Sequence, residues 1–207
     1  MATTQQAPDA RDSTLRHAVT AVLYTIVSVV ALGFVYPLVI WGIGTVLFHH
    51  QAEGSLVVDK TGTVIGSELV GQNWTKPQYF AGRPSAAGKG YDPTQTGGTN
   101  YGPTSKKLID STKSTIAALK KANPDATGPI PMDLVTSSAS GIDPDISPEG
   151  AYYQAPRVAK VRGMTLDAMR SLVAAHITPR QLGLLGEPRV NVLELNRALD
   201  AQGAAIK

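Results

Sequence analysis

Residues 18–48 read AVTAVLYTIVSVVALGFVYPLVIWGIGTVLF, and no Asp, Glu, Lys or Arg occurs from His17 to Ala52. A bilayer's hydrocarbon takes ~20 apolar residues in a helix, so this run crosses it with turns left over. Pro37 kinks such a helix without ending it, because neighbouring helices and local adjustments satisfy the freed carbonyl. Gly33, Gly42 and Gly44 add small faces to the span. They leave two readings open: a lipid-facing anchor, or a stripe against which a partner helix packs, with Gly42 and Gly44 as contact points. A cleaved signal peptide fits poorly, since its apolar core is ~7–15 residues long and no A-x-A-like site follows this one.

Arg11 and Arg16 precede the span and only Lys60 follows closely, which places the N-terminus in the cytoplasm. The expected division is a cytoplasmic tail over 1–17, a transmembrane helix over 18–48 and an extracytoplasmic domain over 49–207. The chain of 207 residues is 43% hydrophobic and 17% charged, as a folded protein is. Asp9, Arg11, Asp12 and Arg16 cancel, so the net charge of +3 lies beyond the span. That mild excess does not point to nucleic acid. With no cysteine, the chain forms no disulfide in either compartment.

Beyond the span, SLVVDKTGTVIGSELVG over 55–71 predicts a hairpin turning at Lys60-Thr61-Gly62. Residues 72–104 are rich in glycine, proline and small polar residues, with Trp74, Tyr79, Phe80, Tyr91 and Tyr101 interspersed. A loop of that length inside a domain is functional or disordered. The segment 105–122 predicts a two-faced helix, with Leu108, Ile109, Thr112, Ile116 and Leu119 on one arc and five lysines on the rest. That basic face is a solvated surface or a contact for anionic headgroups. Short helices are expected at 148–154, 166–176 and 193–202, a turn at 179–182 and a strand at 189–192. Together these give an α+β domain with few strands, anchored by a single N-terminal transmembrane helix.

Tests for chemistry come out negative. The segment from Gly82 to Gly90 has five residues where a phosphate loop has four, and Gly90 stands where Ser or Thr belongs. His176 falls on an apolar helix face, while His49 and His50 sit at the membrane boundary. Asp143, Asp145, Ser147 and Glu149 have the alternate spacing of a calcium loop, but Pro144 and Pro148 interrupt it and the sharp-turn glycine is missing. A structural reading fits better: Ser147 caps a helix that has Pro148 in its first turn, Glu149 complements the helix dipole, and Asp143-Pro144 starts a turn. No catalytic or metal-binding residue is assigned.

A series of segments runs along the chain: Tyr79-Phe80-Ala81-Gly82-Arg83-Pro84-Ser85-Ala86, Gly97-Gly98-Thr99-Asn100, Pro131-Met132-Asp133-Leu134, Ser140-Gly141-Ile142-Asp143-Pro144-Asp145-Ile146-Ser147-Pro148 and Pro188-Arg189-Val190-Asn191-Val192-Leu193-Glu194-Leu195-Asn196. The series resembles the C subunit of the bacterial high-affinity potassium-transporting (Kdp) ATPase, over the span and essentially all of residues 54–200. Thr99 and Ile142 depart from the serine and leucine expected there, and residues 1–15 match nothing in it. The resemblance implies a non-catalytic subunit of the bacterial plasma membrane. It would be assembled with a channel-like potassium-translocating subunit, a P-type ATPase pump subunit and a small single-span subunit, with lipid around its span.

The resemblance also implies a catalytic chaperone that raises the ATP affinity of the pump subunit, with no cofactor of its own and ATP acting at the level of the complex. An extracytoplasmic domain cannot touch a cytoplasmic nucleotide site, so either the coupling passes through membrane helices or that role is incomplete. The rival class is a membrane-anchored ligand-binding, sensor or hydrolase domain. The aromatic-rich loop is expected to dock on the potassium-translocating subunit through Tyr79 and Arg83. The alternative is that it folds back over its own domain.

Overall fold

A computed structural model describes residues 10–202, with side chains from Thr14 onward. The chain divides between Gly54 and Ser55 into two compact units. The first is a helix running through α1 (Ala10–Val30), a π-helical turn (Ala31–Val35) and α2 (Tyr36–Leu47), followed by the single turn α3 (His49–Ala52). Of it, Thr14–Leu47, 34 residues that include an 18-residue window of mean hydropathy 2.3, is long and apolar enough to cross a membrane.

The π-turn has a local cause. Pro37 has no N–H to give, and in an α-helix its ring would crowd the carbonyl four residues back, that of Gly33. Widening the preceding turn, so that the Tyr36 N–H reaches the Ala31 carbonyl, relieves the crowding. Threonine hydroxyls along the helix bond back to its own backbone, Thr25 to Ala21 at 2.8 Å and Thr45 to Trp41 at 2.9 Å, so neither donor faces hydrocarbon unpaired.

In the second unit, β1 (Leu56–Val58) and β2 (Val64–Ser67) form the expected hairpin. Asp59 builds its turn by accepting from the backbone N–H groups of Thr61 and Thr63 at 2.8 and 2.9 Å. A second, antiparallel sheet has the order β3–β5–β4, from β3 (Asp145–Ile146), β4 (Ile177–Thr178) and β5 (Arg189–Asn191). Only the last of these is visible as a strand in the sequence, because two-residue strands show no alternation.

Packed with this sheet are α5 (Pro148–Arg162), α6 (Leu166–Ala175) and α7 (Val192–Ala201). Phe80, Ile146, Val158, Met169, Val173, Val190, Leu195 and Leu199 fill the core between them. The helix α4 (Lys106–Ala122) matches the two-faced pattern, yet none of its side chains is fully buried; Leu119 reaches the edge of the core.

One boundary differs from expectation. The helix predicted to end at 154 continues through Pro156 to Arg162. Proline removes one hydrogen bond, but Ala155, Val158 and Ala159 beyond the predicted end are buried, and their packing outweighs the loss. The end comes instead at Gly163, whose φ of +65° lets the Met164 N–H return to the Ala159 carbonyl at 2.9 Å.

Candidate functional site

The opening of the long loop is gripped by its own domain. Asn196, fully buried on α7, accepts from the Phe80 N–H and donates to the Phe80 carbonyl, both at 2.9 Å. Gln154 on α5 does the same for Ala81, at 2.9 and 3.0 Å. Two primary amides thus pair with two successive peptides as a neighbouring strand would, and the Phe80 ring is carried into the core.

Two arginines hold the residues just before. Arg157 donates to the carbonyls of Pro77 and Tyr79, to Asn123 at 2.8 Å and to Gln154 at 2.9 Å, all neutral oxygens. Burial lowers its pKa from the ordinary arginine value. Arg162, its side chain 1% exposed, bonds the Gln78 carbonyl and Asp200, each at 2.8 Å.

Tyr79 sits inside this grip. Its ring lies 4.8 Å from that of Trp74 and its centroid 4.9 Å from the Arg162 guanidinium carbon. Its hydroxyl donates to Asp200 at 3.0 Å. Arg83 pairs with Asp143 at 2.9 Å. Both expected anchors therefore have partners within their own domain, and the start of the loop lies back on that domain.

Asp133, Asp143 and Asp145 are all engaged within the domain. Asp143 accepts from the Asp145 N–H at 3.1 Å, the turn expected for it. Asp133 takes the Ser147 N–H and hydroxyl at 2.7 and 3.0 Å, while Ser147 caps α5 through the Gly150 N–H at 2.9 Å. Asp145 pairs with Arg189 at 2.9 Å; its pKa is raised by burial, with Arg189 opposing.

Ser85 donates to the Gly141 carbonyl at 2.5 Å and accepts from the Tyr91 and Ala87 N–H groups. At Gly71 and Gly141 the segments meet backbone to backbone. A Cβ at Gly71 would stand 2.5 Å from the Asp143 carbonyl oxygen, and one at Gly141 2.7 Å from that of Gly97. His176 bonds the Leu172 carbonyl through Nδ1 at 2.8 Å. A groove of about 580 Å³ beside α5, lined by Pro129, Pro131, Met132 and Tyr152, includes Asp133, whose oxygens Ser147 already occupies. This arrangement fixes a rigid corner, with Ser85, Asp133, Asp143 and Ser147 all engaged within the domain.

The family model for KdpC, described as the K+-transporting ATPase c chain, matches residues 18–201. The chain belongs to the KdpC family. Similar proteins include the potassium-transporting ATPase KdpC subunits of Acidobacterium capsulatum, 53% identical over 186 residues that cover 90% of this chain and 98% of that one, and of Koribacter versatilis, 51% identical over 186 residues that cover 89% and 94%. The KdpC subunit of Bradyrhizobium diazoefficiens is 48% identical over 202 residues, which cover 92% of this chain and 99% of that one.

On this KdpC scaffold, Gly42 and Gly44 lie in α2, where a Cβ on either meets nothing within 4 Å beyond the adjoining backbone of its own helix. Gln154, Arg157, Arg162 and Asn196, which hold the loop, were missed from the sequence. The signals that existed mark only the starts of their helices: Ser147 caps α5, and Asn191 and Glu194 have the spacing of an N-cap at α7, where Asn191 accepts from the Glu194 N–H at 3.1 Å.

Proposed function

We propose that the chain is the non-catalytic accessory subunit of a high-affinity, ATP-driven potassium uptake complex in the bacterial plasma membrane. It stabilises the assembly of a channel-like potassium-translocating subunit, a P-type pump subunit and a small single-span subunit. The observation that carries this reading is the family match running unbroken from the span to α7, so that anchor and domain are matched as one unit. The internal use of Asp133, Asp143, Ser85 and Ser147 supports a scaffold over an enzyme. The N-terminus lies in the cytoplasm and residues 55–202 lie outside. ATP acts at the level of the complex, and any effect of this chain on nucleotide affinity passes through the membrane helices.

Two measurements test the reading. Protease outside spheroplasts should digest residues 55–202; full protection overturns the orientation. A complex depleted of this chain should lose potassium-stimulated ATPase activity, and any residual activity should show a raised KM for ATP. Full activity without the chain overturns the subunit role, and an unchanged KM removes the chaperone part alone.

A further inference from the structure

Leu182, Leu184 and Leu185 project from the connection between β4 and β5 with 92%, 80% and 61% of their surfaces exposed, while Leu195 and Leu199 of α7 are wholly buried. We propose that this leucine-tipped loop is a plug by which the domain docks into an uncharged, apolar recess on the outward protein surface of a membrane-embedded partner subunit. The proposal rests on the reading of this chain as one subunit of a complex.

The tip is built to hold its shape. The Gln181 N–H reaches the Leu185 carbonyl and the Leu185 N–H returns to the Gln181 carbonyl, both at 2.9 Å, with Gly183 bonded to Arg180 and Leu184 to Gln181 inside that ring. Leu182 has φ +53°, a left-handed conformation that glycine or asparagine enters more easily than leucine. A strained, solvated leucine is a poor choice for a turn that only reverses the chain. It makes sense where its side chain is covered in the assembled state.

Charge selects the kind of cover. Arg180 and Glu187 pair across the base of the loop, and Arg189 pairs with Asp145, so the tip is neutral and the two flanking cations are already matched. Docking on lipid headgroups draws on unpaired basic residues or on Trp and Tyr, and residues 180–187 offer none. A neutral, apolar, preformed projection complements instead an apolar pocket in a protein, where a few buried side chains carry most of the binding and little ordering entropy is lost. Gly183 and Gly186 open both flanks, since a Cβ on either meets nothing within 4 Å.

Because the chain is free of cysteine, Leu184→Cys carries a single thiol. A photoactivatable probe attached there on the purified full chain, followed by reconstitution with the other subunits in liposomes, should cross-link to one partner polypeptide. Adducts confined to lipid, or none, overturn the proposal. In parallel, Leu182→Asn with Leu184→Ser suits the left-handed backbone and should keep the wild-type thermal midpoint. Retention of the chain by its partners in mild detergent should fall about tenfold or more. Undiminished retention of this variant overturns the docking alone, whereas a wild-type chain that its partners do not retain overturns the functional reading beneath it.

Discussion

Tyr91 donates its hydroxyl to the Arg83 carbonyl at 2.6 Å, and burial, with Asp143 adding to it and Arg83 opposing, pushes its pKa from 10.0 up to about 12. A group whose folded pKa lies above its unfolded one contributes stability that is complete below the unfolded value and is lost as pH rises through the folded value. The advantage of the wild type over Tyr91→Phe in urea unfolding should therefore hold steady up to about pH 10 and shrink between pH 10 and 12. An advantage that grows above pH 10 contradicts the assignment. At this scale, what the sequence showed was local. Ser147 before Pro148 and Asp143 before Pro144 signal a cap and a turn within three residues of chain. The pairing of Asn196 with Phe80, 116 residues apart, leaves no local trace, since an asparagine in a helix reads the same whether it faces water or a buried peptide.

Among the elements, hairpin, α4, α6 and α7 were legible because hydrophobic period and turn residues agree with the final packing. The course of α5 past Pro156 was not, because the alanine and valine face that rescues it becomes meaningful only against α6 and the sheet. The loop was legible as an element and opaque in its contacts: its aromatics serve a domain core equally well on composition. With Tyr79 between Trp74 and Arg162 and Arg83 on Asp143, Tyr79→Ala with Arg83→Ala should destabilise the domain by about 2 kcal/mol, several degrees of melting temperature. An unchanged midpoint together with lost assembly would instead give these two side chains to a partner.

For the molecule as a whole, the span and the mixed domain behind it followed from composition and periodicity, whereas partner faces did not, because an isolated chain leaves them as open surface. Gly44→Leu tests one of them. The α2 helix has room for the side chain and favours leucine over glycine, so the chain should fold and insert as before. Retention by the potassium-translocating subunit should drop severalfold if a helix lies there. Equal retention assigns that face to lipid. The π-turn at Ala31–Val35 bears on any such experiment along the span. An added residue in one turn offsets the angular phase of everything after it by about 100° relative to what came before. A substitution scan of the membrane helix should therefore show two separate sinusoids, out of step at Leu32–Phe34, and a single period fitted from end to end would blur a genuine contact stripe into noise.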